Sequence, residues 1–276
     1  MISKRHEFTL SKINTQYLDE ALFNKARSFI AGINKGSAGI GTYMEKGVHS
    51  LLKYYYVPDS DCHEVIIDDD RRFVADACKE GEIYEIQSKQ FYKMRGKLEV
   101  FLKDHDVTIV YPIALTKRLI YIDPETGELS KPRISSKKGC LYDVVSELYS
   151  IKGFLDNPKL HFITCFIEMD EYKLLDGWSK DKKKGATKTD RFATKILGEF
   201  RINEKRDLLT LLPGVKRTGK RAVKSELLPK EFTSKDVAES SGCSQAEAGI
   251  LLNILCHIKL IEKTGKKGRS YTYKLH

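Results

Sequence analysis

Phe73-Val74-Ala75-Asp76-Ala77-Cys78-Lys79-Glu80-Gly81-Glu82-Ile83-Tyr84-Glu85-Ile86-Gln87 is the stretch that decides the fold. Both halves are short, rich in β-forming residues and bounded by turn residues, so each reads as a strand. A tight turn at Glu80-Gly81-Glu82 joins them into a hairpin and brings Asp76 alongside Glu85. The two-residue period of a strand puts Glu85 and Gln87 on one face. Phe73, Val74, Ala77 and Cys78 surround Asp76 with apolar side chains, and a carboxylate in such a setting needs a partner or a metal.

On the N-terminal side, His63-Glu64-Val65-Ile66-Ile67 reads as another strand, following a break at Pro58-Asp59-Ser60-Asp61. Thr42-Tyr43-Met44-Glu45 opens a helix that continues to about Tyr56, with Glu45 and His49 one turn apart on the same side. Glu45 also stands where a Thr42 capping box needs an acid, and His49 has the ordinary role of a packed or hydrogen-bonded helix histidine open to it. Leu18, Ala21, Leu22, Ala26, Phe29, Ile30 and Ile33 recur at helical spacing and predict an amphipathic helix over residues 14–33. Gly36-Ser37-Ala38-Gly39-Ile40-Gly41 lacks the Gly-Lys-Ser/Thr ending of a phosphate loop and follows no strand, so it reads as a hinge.

On the C-terminal side, Phe91, Met94, Leu98, Phe101 and Leu102 share one helix face. Val107-Thr108-Ile109-Val110-Tyr111-Pro112-Ile113 is a continuous apolar run, as a strand covered on both faces requires. Leu119 to Asp123, with the turn Pro124-Glu125-Thr126-Gly127, suggests an added hairpin. A helix through Leu141, Val144, Val145, Leu148 and Ile151 and a strand from Leu160 to Ile167 follow.

The order helix, three strands, helix, strand over residues 42–115, with two acids on its hairpin, resembles the PD-(D/E)XK nuclease superfamily and its αβββαβ core. In that resemblance Asp76 matches the family's Asp and Glu85 the acid of its second half-motif. Glu45 matches the acid often found in the first helix, and Gln87 stands where Lys is usual. The resemblance implies an α/β restriction-endonuclease-like core with extensions. Asp76 and Glu85 would there hold Mg²⁺ (or Mn²⁺) for hydrolysis of phosphodiester bonds by an activated water. Val74-Ala75 precede the Asp without a Pro, and Gln87 is the larger departure. An amide orients water but takes no proton, and general-base assistance is worth ~10²–10⁴ in rate. Lys89, on the same strand face, or Lys93, in the next helix, could supply the missing cation. The catalytic set expected is thus Glu45, Asp76, Glu85, Gln87 and Lys89.

Thr233-x-x-Asp236 and Ser244-x-x-Glu247 are capping-type helix starts on either side of Ser241-Gly242-Cys243. The second helix carries Ala248, Leu251, Leu252, Leu255 and Ile258. Leu260-Ile261-Glu262-Lys263 and Ser270-Tyr271-Thr272-Tyr273-Lys274 then alternate as strands around a basic loop. This pattern resembles a winged helix-turn-helix domain over residues 227–276, which would put Ser244, Gln245, Lys266, Lys267 and Arg269 against nucleic acid. Such domains also mediate protein contacts.

A chain of 276 residues holds two or three domains. The divisions read are an N-terminal helical segment (1–41), the nuclease-like core (42–177), a basic region and linker (178–226) and the winged helix (227–276). Residues 178–224 hold 15 Lys/Arg against 5 Asp/Glu, which accounts for the whole net charge of +10. Lys182, Lys183, Lys184, Lys205 and Arg206 lead that stretch and favour a polyanionic partner, DNA in the first place, since neutralising phosphates releases counterions. Charge alone does not separate DNA from RNA, so an RNA-processing protein and a DNA-binding regulator with an inactive nuclease core remain rival readings. A homodimer or a complex with a partner protein fits as well. Six cysteines without a C-x-x-C pair read as reduced, small hydrophobes, and Cys62-His63 is a weak metal signal. The polar start and the absence of a run of roughly 20 apolar residues predict a cytoplasmic protein with no membrane partner.

Overall fold

A computed structural model describes residues 3–35, 46–68, 73–178, 184–216 and 225–276. Helices α1 (Lys4–Leu10), α2 (Glu20–Lys35) and α3 (Lys46–Tyr56) precede a meander of strands β1 (His63–Asp68), β2 (Phe73–Lys79) and β3 (Glu82–Ile86). Only Glu80 and Gly81 separate the last antiparallel pair, Lys79 and Glu82. Both take positive φ, 53° and 87°, the turn whose twist matches that of paired strands.

Helix α4 (Arg95–Asp104) returns the chain so that β4 (Asp106–Ile122) lies parallel to β3. The short β5 (Arg133–Ile134) folds back on β4, and α5 (Asp143–Ser150) leads into β6 (Leu160–Trp178), again parallel to β4. Strand β7 (Lys184–Ile202) runs antiparallel along β6 and completes the order β1-β2-β3-β4-β6-β7. The result is a mixed α/β fold on one large mixed sheet. Leu98 and Phe101 of α4 with Val145 and Leu148 of α5 cover one face. Phe23 and Ala26 of α2 with Leu51 and Leu52 of α3 cover the other, over Ile86, Val110, Ile163 and Cys165. Double coverage explains why residues 107–113 carry hardly a polar side chain.

After β7, a 3-10 helix (Lys205–Leu211) buries Leu208, Leu209 and Leu211. Helices α6 (Ser234–Ser241) and α7 (Gln245–His257) and the hairpin β8 (Ile261–Lys267) with β9 (Ser270–Leu275) follow. Both capping boxes form, at Thr233/Asp236 and Ser244/Glu247, each worth about 1 kcal/mol. Gly242 turns between the helices at φ 74°, and a Cβ there would lie 2.5 Å from Arg5 N, so α1 closes over the turn. Phe232, Leu251 and Leu255 join the same apolar cluster as α5. Among the described residues no helix is long and apolar enough to cross a membrane.

Several boundaries differ from expectation. Helix α2 begins at Glu20, not near residue 14, because Asp19 caps it by accepting from Leu22 N at 2.8 Å, while Asn14 pairs with Glu199 in the sheet. The expected hairpin does form, with Leu119 opposite Arg133 and Ile122 bridged to Leu129, but Leu119 to Ile122 end β4 itself, and the turn after them closes on Asp123 Oδ1. Of the basic region and linker expected over 178–226, residues 179–183 and 217–224 lie outside the described residues, and the part described is not a separate region. Residues 184–202 are a strand of the main sheet, and Leu212 and Val215 are buried. Register shifts at four places along β6–β7 break the period of two that would have revealed the strand. The hinge at 36–41 and the helix start at 42–45 lie outside the described residues.

Candidate active site

The β2–β3 ladder stops at Ala77–Tyr84, and beyond it two carboxylates take over the pairing. Asp76 N donates to Glu85 Oε1 at 3.4 Å, and Ile86 N donates to Asp76 Oδ2 at 2.8 Å. The acids expected to converge therefore do, at the C-terminal end of β3. Glu85 is fully buried, whereas the Asp76 side chain keeps 15% of its exposure. Two basic side chains complete the group. Lys97 Nζ, from α4, sits 2.8 and 3.0 Å from the two oxygens of Glu85. His49 Nε2, from α3, lies 2.9 Å from Asp76 Oδ2.

The pair is electrostatically split. Burial raises the Glu85 carboxyl pKa well above the usual range and the neighbouring Asp76 charge adds to it, more than Lys97 restores. Burial also works against Asp76, but His49, the Ile86 N–H and Lys97 outweigh it and hold that carboxyl below its ordinary value. Two like charges in one dry site do not both ionise freely. Two adjacent oxygen ligands under mutual repulsion are the donor chemistry a hard divalent cation satisfies. No group of three or more His, Cys, Asp or Glu side chains suited to a metal occurs among the described residues. Glu45, the third acid expected, lies outside them.

The cation beside the acids is Lys97, which corrects the expectation of Lys89 or Lys93. Both of those are exposed on the surface. The direction of Lys97 depends on how α4 crosses β3, and the sequence gives only its spacing of four from Lys93. Gln87 lies one residue past β3, its N–H donating to Val110 O at 2.9 Å. Among the described residues its side chain makes no hydrogen bond to either carboxylate. His49, read as more at home in a structural role, touches the candidate site directly. Its one-turn spacing from Glu45 was the available signal.

The expected nucleic-acid residues scatter. Lys182 and Lys183 lie outside the described residues, and Lys184 begins β7. Lys205 pairs with Asp156, and Arg206 is exposed beside it in the 3-10 helix. The Ser244 hydroxyl bonds Glu247 Oε2 at 2.7 Å within its cap, and Gln245 Nε2 reaches Ser234 Oγ at 3.4 Å. Lys266, Lys267 and Arg269 are exposed on the β8–β9 hairpin. At Cys62-His63, His63 Nε2 bonds Val57 O at 2.7 Å and its ring packs on Tyr54. All six cysteines are free thiols. Cavities of about 340 and 800 Å³, between α2 and β7 and beside the β2–β3 turn, are not lined by Asp76 or Glu85.

A family model described as a domain of unknown function, DUF8091, matches residues 46–203. That span runs from α3 to the end of β7 and includes every strand of the large sheet, both acids, His49 and Lys97. An uncharacterized protein of Treponema pallidum (strain Nichols) is 27% identical over 183 residues, 64% of this chain and 70% of its own length. No solved structure matches. Because the matching model covers more than half of the chain, this protein belongs to the DUF8091 family.

Proposed function

We propose that this protein is a Mg²⁺-dependent (or Mn²⁺-dependent) nuclease of the PD-(D/E)XK type that hydrolyses phosphodiester bonds in DNA in the cytoplasm. The observation that carries the reading is the pair of carboxylates, Asp76 and Glu85, side by side where β2 and β3 part. The order α3, three strands, α4, β4 supports a restriction-endonuclease-like core. The two capped helices and the basic hairpin support a C-terminal winged helix.

Asp76 and Glu85 would hold the metal. When bound, it supplies positive charge to the phosphate and acidifies water. Lys97 Nζ partly offsets the burial of Glu85 and offers a donor to a phosphate oxygen or to water, the cation that Gln87 cannot provide. His49 Nε2 orients Asp76 through their 2.9 Å contact. Gln87, with Glu45 from the start of the α3 segment, would position water.

One observation favours a rival, a DNA-binding regulator with an inactive core: Lys97 already satisfies both oxygens of Glu85. Nicking of supercoiled plasmid with Mg²⁺, against linear duplex, single-stranded DNA and RNA controls, decides between them. Wild type should cleave and Asp76→Ala should not, while still binding DNA. Absence of wild-type cleavage on every substrate overturns the nuclease reading, and cleavage of RNA alone moves it to RNA processing.

A further inference from the structure

We propose that Lys117, Lys173, Lys188 and Arg191, gathered around Glu171 on β4, β6 and β7, form a site for the backbone phosphates of a nucleic acid. Glu171 is almost wholly buried. Lys117 Nζ and Arg191 Nε lie 3.4 and 3.3 Å from its Oε2, and Lys173 Nζ lies 3.7 Å from its Oε1. Lys188 acts on the same carboxylate through its charge. Register explains the convergence. Leu119 and Arg191 flank Glu171 across the two ladders, and Lys188 faces Lys173. The period of two keeps Lys117, Glu171 and Lys173 on one face. A register shift between Glu171 and Lys173 fits the extra residue in β7 that lets Lys188 and Arg191 face one carboxylate.

The cluster is not balanced. One acid against four bases leaves a surplus of three positive charges among the described residues. Burial lowers the Lys188 ammonium pKa, and Arg191, Lys117 and Lys173 lower it further against the pull of Glu171. Cations that repel one another, anchored on strands with 21–28% of the Lys117, Lys173 and Arg191 side chains still exposed, are arranged to accept an anion. Arg191 adds a planar donor fork suited to phosphate oxygens.

The position of the cluster ties it to the carboxylate pair. A Cβ on Gly47 would lie 2.4 Å from Arg191 O, so the first turn of α3 rests on β7 at Arg191. His49, two residues later, touches Asp76. The start of α3 thus rests on β7 at Arg191 and meets Asp76 through His49, and a nucleic acid reaching both sites rests on the nuclease reading above.

The test is a salt titration of labelled duplex binding by the full chain. Lys173→Gln with Lys188→Gln leaves Glu171 its Lys117 and Arg191 partners. It should lower the slope of log affinity against log salt by about 1.8, at roughly 0.9 per phosphate contact. Between 50 and 200 mM salt that slope change is about twelvefold in affinity. Lys25→Gln with Lys103→Gln, which removes the same charge from exposed helix positions, should leave the slope alone. Lys173→Arg with Lys188→Arg should keep it, and matching thermal melts exclude misfolding as the cause. An unchanged slope in the Gln pair overturns the phosphate site even if the protein cleaves DNA. A lowered slope in a protein that cleaves nothing keeps the site and fails the nuclease reading. Loss of binding to phosphatidylserine vesicles with no change on duplex also overturns it, in favour of a membrane surface.

Discussion

Glu85 and Glu171 are both buried glutamates on the same sheet, and their surroundings move them in opposite directions. Glu85 has an acidic neighbour and one lysine, so burial and Asp76 raise its pKa. Burial acts on Glu171 in the same sense, but Lys117, Lys188 and Arg191 overcome it and hold its carboxyl below the ordinary range. Burying an ion costs several kcal/mol, and only its partners decide whether that cost is recovered. The β2–β3 end therefore sets two repelling carboxylates against one lysine, while the far half of β6–β7 sets four cations around one carboxylate.

The largest expected effect breaks the comparison at Lys97. Lys97→Met should slow single-turnover cleavage by ~10²–10⁴, the range of proton-transfer and positioning assistance, with duplex affinity within about twofold by anisotropy. Equal loss of affinity would make Lys97 a binding residue of the kind found around Glu171.

Stability separates the two glutamates next. Glu171→Gln leaves four cations without their carboxylate and should cost about 2–3 kcal/mol, toward the low end of broken buried pairs because the cations keep some water. Glu85→Gln removes a charge that its setting already opposes and should stay within about 1 kcal/mol of wild type. Denaturant melts of both variants at pH 8 check the contrast, and equal losses would mean that local partners do not distinguish the sites.

The smallest effect is in pH. The Glu171 carboxyl titrates lower in the folded chain than its ordinary 4.5, so its stabilisation is complete above that value and is lost as pH falls through the folded one. The gap between wild type and Glu171→Gln should hold from pH 8 to about 5 and close in more acidic solution. A gap that widens toward low pH would reverse the sign assigned to this cluster.

Local patterns made much of this legible. Asp76 and Glu85 came together because a two-residue turn at Glu80-Gly81 fixes the register, and a register fixes which side chains meet. The capping boxes of α6 and α7 were readable because cap and partner lie three residues apart. Strand β7 was not, because an edge strand with repeated register shifts has no clean alternation, and its lysines and arginines looked like a solvated run.

The chain by itself determined the hairpin, the acids on it, the buried β4 and the two capped helices, since each depends on neighbours a few residues apart. Tertiary structure alone decided that Lys97 rather than Lys89 meets Glu85. It decided equally that His49 meets Asp76, and that residues 117, 173, 188 and 191 surround one glutamate. Apart from Lys173, two residues from Glu171, those contacts join residues 12 to 54 positions apart, and their directions follow from how helices cross the sheet and strands register, which no local spacing encodes.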